Sequence, residues 1–327
     1  MRPTLVALWV VTLCPVALAA PEAEAVGPAP DTESVPTTPA TATAPPPPSK
    51  DHFLPAIGAT AAFSTVTLVA GTFAWWRDKG YAGWGWRDTG FFGRDTYAGG
   101  ADKAGHFISC YGATRLMTTL YHSLGVEAPN DLWLGAGFIW FLGAAVETVD
   151  GFTAFGFEYP DLIANTAGVV AGILAEKLPA VDALVGYRIG YLPTPHYLRH
   201  DKSYIRTIND YGGMIYYVDV KPAGLETAWG LDPGPARYLS FGVTFNTHGY
   251  SPKSEWRKER NVGLHVSLNV SEILLGAFEP GTFGVEGLAR VSRYYAWPFT
   301  SVIYVRDLNN DDDTINFGVA NRDEKHL

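Results

Sequence analysis

The sequence predicts an α+β fold: an N-terminal Gly-rich helical, membrane-embedded bundle of about four helices, followed by a small antiparallel β domain. Three observations lead to it. Four apolar segments rich in small residues lie between residues 54 and 178. After Leu178 the pattern turns to period-two alternation, the mark of strands with one buried face. Charged residues make up only 17% of the chain, below the roughly 25% usual in soluble domains, which favours burial in protein or lipid.

Taken in order, "MRPTLVALWVVTLCPVALAA" has one Arg, an apolar core and a small-residue exit. It reads as a Sec signal peptide, residues 1–19, cut after Ala19. Leu13 precedes Cys14 where lipoprotein processing wants a small residue, so lipidation is not expected. Removing the signal leaves Cys110 as the only cysteine and no internal disulfide. Residues 20–50 are Pro, Ala and Thr rich without an aromatic, a disordered spacer by composition.

Residues 51–180 form the expected helical domain. Leu54 to Trp76 contains no charge in 23 residues, enough to span a bilayer at about 1.5 Å per residue. Further segments run from Asp102 to Leu124, Asp131 to Glu147 and Pro160 to Leu178, with small residues suited to close helix contact in lipid. A soluble Gly-rich helical core is the alternative. Trp75, Trp76, Trp84 and Trp86 suit a membrane interface. The cations Arg77, Lys79, Arg87, Arg94 and Lys103 lie between the first two segments, which would make that loop cytoplasmic and the C-terminal half periplasmic.

Residues 181–327 form the expected β domain. "YLSFGVTFN" and "NVGLHVSLNV" alternate cleanly, and further strands are expected at 214–221, 283–293, 300–306 and 314–320. About six strands fall short of the eight of the smallest outer-membrane barrels, so this domain is placed outside the bilayer or against its surface. The formal net charge of −9, with no Lys-Arg run, excludes a nucleic-acid partner.

If the second, third and fourth segments run up, down and up, the start of two, the end of three and the start of four share one side. Those ends contain Asp102, Lys103 and His106, then Glu147 and Asp150, then Glu158, Asp161 and Asn165. Asp102 and His106 share a helix face, as do Asp161 and Asn165, each pair being four apart.

Three uses are open for this polar mouth. It is structural if Asp102 is an N-cap, Lys103 a solvated head and Asp161 a first-turn acid on the helix dipole. It is a metal site if Asp102, His106, Glu147 and Asp161 supply ligands, His plus carboxylates being suitable donors. It is catalytic if His106, with Glu147 or Asp161, does acid-base work on a lipid head group. Asp102, Lys103, Glu158 and Asn165 are then binding residues. Cys110 continues the Asp102–His106 face, and packing is its default role over that of nucleophile.

No closed signature decides between enzyme and non-enzyme: HExxH, GxSxG and Walker motifs are absent. "DLNNDDD" has Asp312 where a calcium loop needs Gly, and reads as an acidic hairpin turn.

"DKAGHF" with "ETVDGFTAFGFEYPDLIANTAGVVAG" resembles the YfiM-like family of uncharacterised bacterial envelope proteins, predicted periplasmic lipoproteins. More distantly it is similar to the VanZ-like membrane family through Asp102, Lys103, His106, Glu147, Asp161, Asn165 and Gly168. The resemblance covers about residues 50–180 and extends loosely into the β region. It implies an envelope location and no established activity or cofactor.

The expected protein is therefore an exported, membrane-associated envelope protein with a periplasmic C-terminal domain, structural or binding a lipid or an envelope partner. The rival is a membrane enzyme acting on a lipid-linked substrate at the polar mouth.

Overall fold

The computed structural model describes residues 53–76, 80, 83–200, 208–250, 254 and 256–320. The expected signal peptide and spacer lie outside these. The architecture is α+β: helices come first, then a six-stranded antiparallel sheet in the order β1-β2-β3-β4-β5-β6.

The first helix, α1, covers Phe53–Gly71 and ends in a π-helical turn at Thr72–Trp76. Three helices follow: α2 (Ala101–Ser123), α3 (Asn130–Asp150) and α4 (Tyr159–Lys177). They match the apolar segments to within a few residues and pack on one another, α2 touching both others. Small residues make this contact. A Cβ on Gly168 would stand 2.2 Å from the Phe107 carbonyl oxygen, and one on Gly135 would stand 2.9 Å from the Thr118 nitrogen. The core between them holds Cys110, Met117, Tyr121, Ala136, Ile139 and Val169. By length and composition, α1 and α3 are apolar enough to cross a membrane.

A short helix, α5 (Pro179–Leu184), leads into β1 (Val185–Tyr191). After α6 (Pro195–His200) come β2 (Met214–Val220) and α7 (Gly224–Trp229). Then β3 (Leu239–His248) and β4 (Glu259–Leu268) form a long hairpin. Two helices, α8 (Val270–Ala277) and α9 (Val285–Ser292), precede β5 (Ser301–Asp307) and β6 (Asp313–Asn316). The acidic stretch after β5 is the β5–β6 turn, as expected.

Three expectations are corrected. Segment 283–293 is helical, not a strand. Val285, Leu288, Ala289 and Ser292 recur at helical spacing, and Gly284 at φ +79° starts the helix in a left-handed conformation. The sixth strand is instead β1, whose apolar pattern is broken by Arg188; that side chain is buried, with Nε 2.7 Å from Asp219 Oδ2.

The third correction concerns which face of the sheet is buried. The apolar set (Phe241, Val243, Val262, Leu264, Val266, Leu268) is exposed, while Ser240, Thr244, Asn246, Asn261, His265 and Ser267 are buried. The alternation was legible, but its polarity is reversed.

Bundle and sheet share a core. Ala98 and Ala101 pack with Ile189, Tyr191, Met214, Tyr216 and Tyr295, and Phe107 and Tyr111 each lie 5.0 Å from the Tyr187 ring. The start of α2 meets the end of β1, and the next turns run back along that strand. Helix and strand thus lie side by side.

Candidate functional site

The chain enters α2 through a 3-10 turn, Tyr97–Gly100, in which Ala98, Gly99 and Gly100 all have positive φ. At Gly100 (φ +94°) a Cβ would stand 2.6 Å from the Phe92 ring and 2.7 Å from the Phe91 carbonyl oxygen, so only glycine fits there. Gly100 holds the N-cap position and makes no side-chain cap. Asp102 is therefore a first-turn acid on the positive end of α2, not its N-cap as expected.

Lys103 also departs from expectation. It is not a solvated head: its side chain is 1% exposed. The ammonium lies 2.7 Å from Asp102 Oδ2, 2.8 Å from Glu158 Oε2 and 3.0 Å from Asp161 Oδ1. Thr89 donates to the same Glu158 oxygen at 2.7 Å. Glu158 stands at the N-cap of α4, Pro160 sits in its first turn, and Asp161 follows. The start of α4 thus brings two carboxylates to the start of α2.

The end of α3 supplies the remaining acids. Carboxylates in a last helical turn oppose the dipole, so they need local partners. Asp150 accepts a 2.6 Å hydrogen bond from the Trp76 indole; Trp76 is buried, a correction to its expected place at a membrane interface. Glu147, 1% exposed, accepts from Asn165 Nδ2 at 3.2 Å.

His106 joins the two groups. Its Nδ1 is 3.0 Å from Asn165 Oδ1 and 3.5 Å from Glu147 Oε1, and its Nε2 is 3.8 Å from Asp161 Oδ2. Cys110 donates to Asn165 Oδ1 at 3.2 Å from a buried position. The thiol is thus a packed donor to an amide, and no base orients it.

The residues anticipated at the mouth therefore meet: Asp102, Lys103, His106, Glu147, Glu158, Asp161 and Asn165, with Asp150 at its rim held by Trp76. Thr89 and Trp76 join them unanticipated, because neither belongs to the three helix ends from which the mouth was read, and Tyr211 packs on Tyr97 just before α2, ring centroids 6.1 Å apart. Burial, with Tyr97 and Asp102 nearby, pushes the Tyr211 phenol well above its ordinary pKa and keeps it protonated.

Two carboxylate groups are geometrically able to hold a cation. In the first, Asp102, Glu158 and Asp161 already converge on the Lys103 ammonium, which stands where an ion would. In the second, ligand atoms of His106, Glu147 and Asp161 all lie within 4.8 Å of one another. This set of one imidazole and two carboxylates fits a divalent metal or a proton-sharing group. Four acids here face one lysine and one histidine, which favours binding of a proton or a cation.

Residues 88–177 match a family model described as "Predicted periplasmic lipoprotein (DUF2279)". The match contains every residue of the mouth from Asp102 to Asn165, and it supports an uncharacterised periplasmic family and an envelope location. No curated protein and no solved structure matches the chain.

Proposed function

We propose that the chain is a membrane-embedded envelope protein whose polar mouth is a structural clamp joining three helix ends, and that the folded part binds lipid or an envelope partner rather than turning over a substrate. The observation that carries this reading is the enclosure of Lys103, whose ammonium hydrogen-bonds Asp102, Glu158 and Thr89 and lies 3.0 Å from Asp161. Buried charges are tolerated when paired and hydrogen-bonded, and such a network fixes one relative placement of the helices. The YfiM-like and VanZ-like resemblance fits this reading, since it brings a location and no reaction. Helices α1 and α3, long and apolar enough to cross a bilayer, hold the protein in the membrane, so the lipidation of Cys14 is not needed. The division at about residue 180 separates the helical part from the sheet by composition.

A second reading is favoured by the His106–Glu147–Asp161 group and by His106 being 27% exposed at its side chain. It makes the mouth a site for metal-assisted or acid-base chemistry on a lipid-linked substrate. His106→Ala and Asp161→Asn separate the two. Normal folded yield with loss of the envelope phenotype, or of zinc binding by the purified protein, establishes a working site. Loss of folded yield in Asp161→Asn, with little effect of His106→Ala, establishes the clamp.

A further inference from the structure

The sheet turns an apolar face outward. Outward-facing residues align in rows across the strands. One row runs Val218, Val243, Leu264, Tyr304, Ile315 over five strands, and the next runs Val220, Phe241, Val266, Val302. Every one of these nine side chains is exposed. Inward, an apolar cluster of Ile215, Tyr217, Ile303 and Val305 is interleaved with paired polar groups: Arg188 forks onto Asp219 at 2.7 and 2.6 Å, and His265, Ser267 and Ser301 chain together at 2.8 Å per step. In water the outward face is unfavourable, because it hydrates aliphatic surface. Beside hydrocarbon that face is satisfied, as on lipid-facing strands, which turn their apolar residues outward.

We infer that the uncovered face of β2–β6 contacts the acyl chains of a lipid bilayer, so that the sheet lies in the membrane beside the helices rather than outside it. This deepens the membrane reading above and rests on it. The dimensions agree. Strands β3 and β4 have 10 residues each, and a membrane strand needs roughly nine to eleven. The charge-free part of β4, Val262 to Leu268, spans about 20 Å at 3.3 Å per residue, against an apolar band of about 25 Å on lipid-facing sheets.

The charges complete the match, because they stop where the apolar rows stop. Arg260, Arg306 and Asp313 bound the band at one end, with Arg306 Nη1 3.1 Å from Asp313 Oδ1. Tyr238 and the Arg237–Glu226 pair, 2.6 Å apart, bound it at the other. The Arg260 end is stitched to the polar mouth of the bundle by loop 88–100: Arg260 donates to the Phe92 carbonyl, and Tyr250 donates to that of Arg94. The polar rims of bundle and sheet thus lie on one side, as one membrane surface requires.

At the middle of the outer edge of β1, residues 294–296 pair with Ile189, through Ile189 N to Tyr294 O at 2.9 Å and Ala296 N to Ile189 O at 3.0 Å. The β6 edge is only four residues long, and Asn316 accepts from the Val319 amide at 2.9 Å just beyond it.

Nitroxide labels in the full chain, reconstituted in phosphatidylcholine vesicles on a Cys14→Ala, Cys110→Ala background, test this. Leu264→Cys and Val302→Cys report the sheet, Val66→Cys reports α1 and Asp95→Cys reports water. Lipid contact gives high collision rates with oxygen and low rates with a nickel chelate at 264 and 302, as at 66. Nickel access at 264 and 302 with lipid access at 66 overturns the sheet's placement and leaves the helices in the membrane. Nickel access at all three overturns both. Exclusion of both reagents with spin–spin broadening between chains shows a second copy on the face and also overturns the inference. Should a labelled variant fail to fold, a phospholipid with a diazirine acyl chain applied to the unmodified protein must mark peptide 262–268 as well as 53–71. Marking of 53–71 alone overturns it.

Discussion

Replacing Lys103 by Met keeps the side-chain length but removes the ammonium, leaving Asp102, Glu158 and Asp161 facing one another in a buried gap. Breaking a buried ion pair from one side costs about 3–5 kcal/mol. Lys103→Met should therefore unfold well below the wild type in a detergent melt. An unchanged melt would show that Lys103 does not hold the mouth together. His106→Ala removes a partly exposed ring whose contact with Asn165 is a single hydrogen bond. Its expected cost is about 1 kcal/mol, read in the same melt, and a loss as large as that of Lys103→Met would make His106 part of the clamp. Helix spacing made the meeting of these residues legible, since one turn separates Asp102 from His106 and Asp161 from Asn165. The burial of Lys103 was not legible, because its partners arrive from α4 and from Thr89, which no local pattern links to it.

At the scale of elements, α2 and α4 approach so closely at Gly168 that a methyl group has no room. Gly168→Ala would set its Cβ 2.2 Å from the Phe107 carbonyl oxygen and 3.0 Å from Cys110 Cβ. Overpacking of this kind costs about 1–3 kcal/mol, and it also pushes Asn165, one turn earlier on α4, away from Cys110 and His106. The prediction is a lowered melt together with faster modification of Cys110 by a thiol reagent, since the thiol is buried in the wild type. Slow modification in the variant would show that the helices tolerate the methyl group. The helices were legible because long apolar runs admit little else. Segment 283–293 was not, since short apolar runs satisfy both periods, and Gly284 tips it to helix. Strand β1 was hidden by Arg188, which reads as a surface residue until Asp219 of the neighbouring strand β2 is found bonded to it.

At the scale of the whole molecule, the alternation of β3 and β4 fixed which residues share a face, but which face points inward depends on the solvent. In water the apolar set goes inside; next to lipid it goes outside, and sequence alternation is the same in both cases. The same ambiguity applies to α1, whose Leu54, Val66 and Val69 are exposed among the described residues. Membrane embedding explains both surfaces together, so it is the claim to test first. Flotation of alkaline-washed envelopes through a sucrose gradient does so directly. The protein should rise with the lipid after the wash. Recovery as a soluble, folded species at the bottom of the gradient would contradict it.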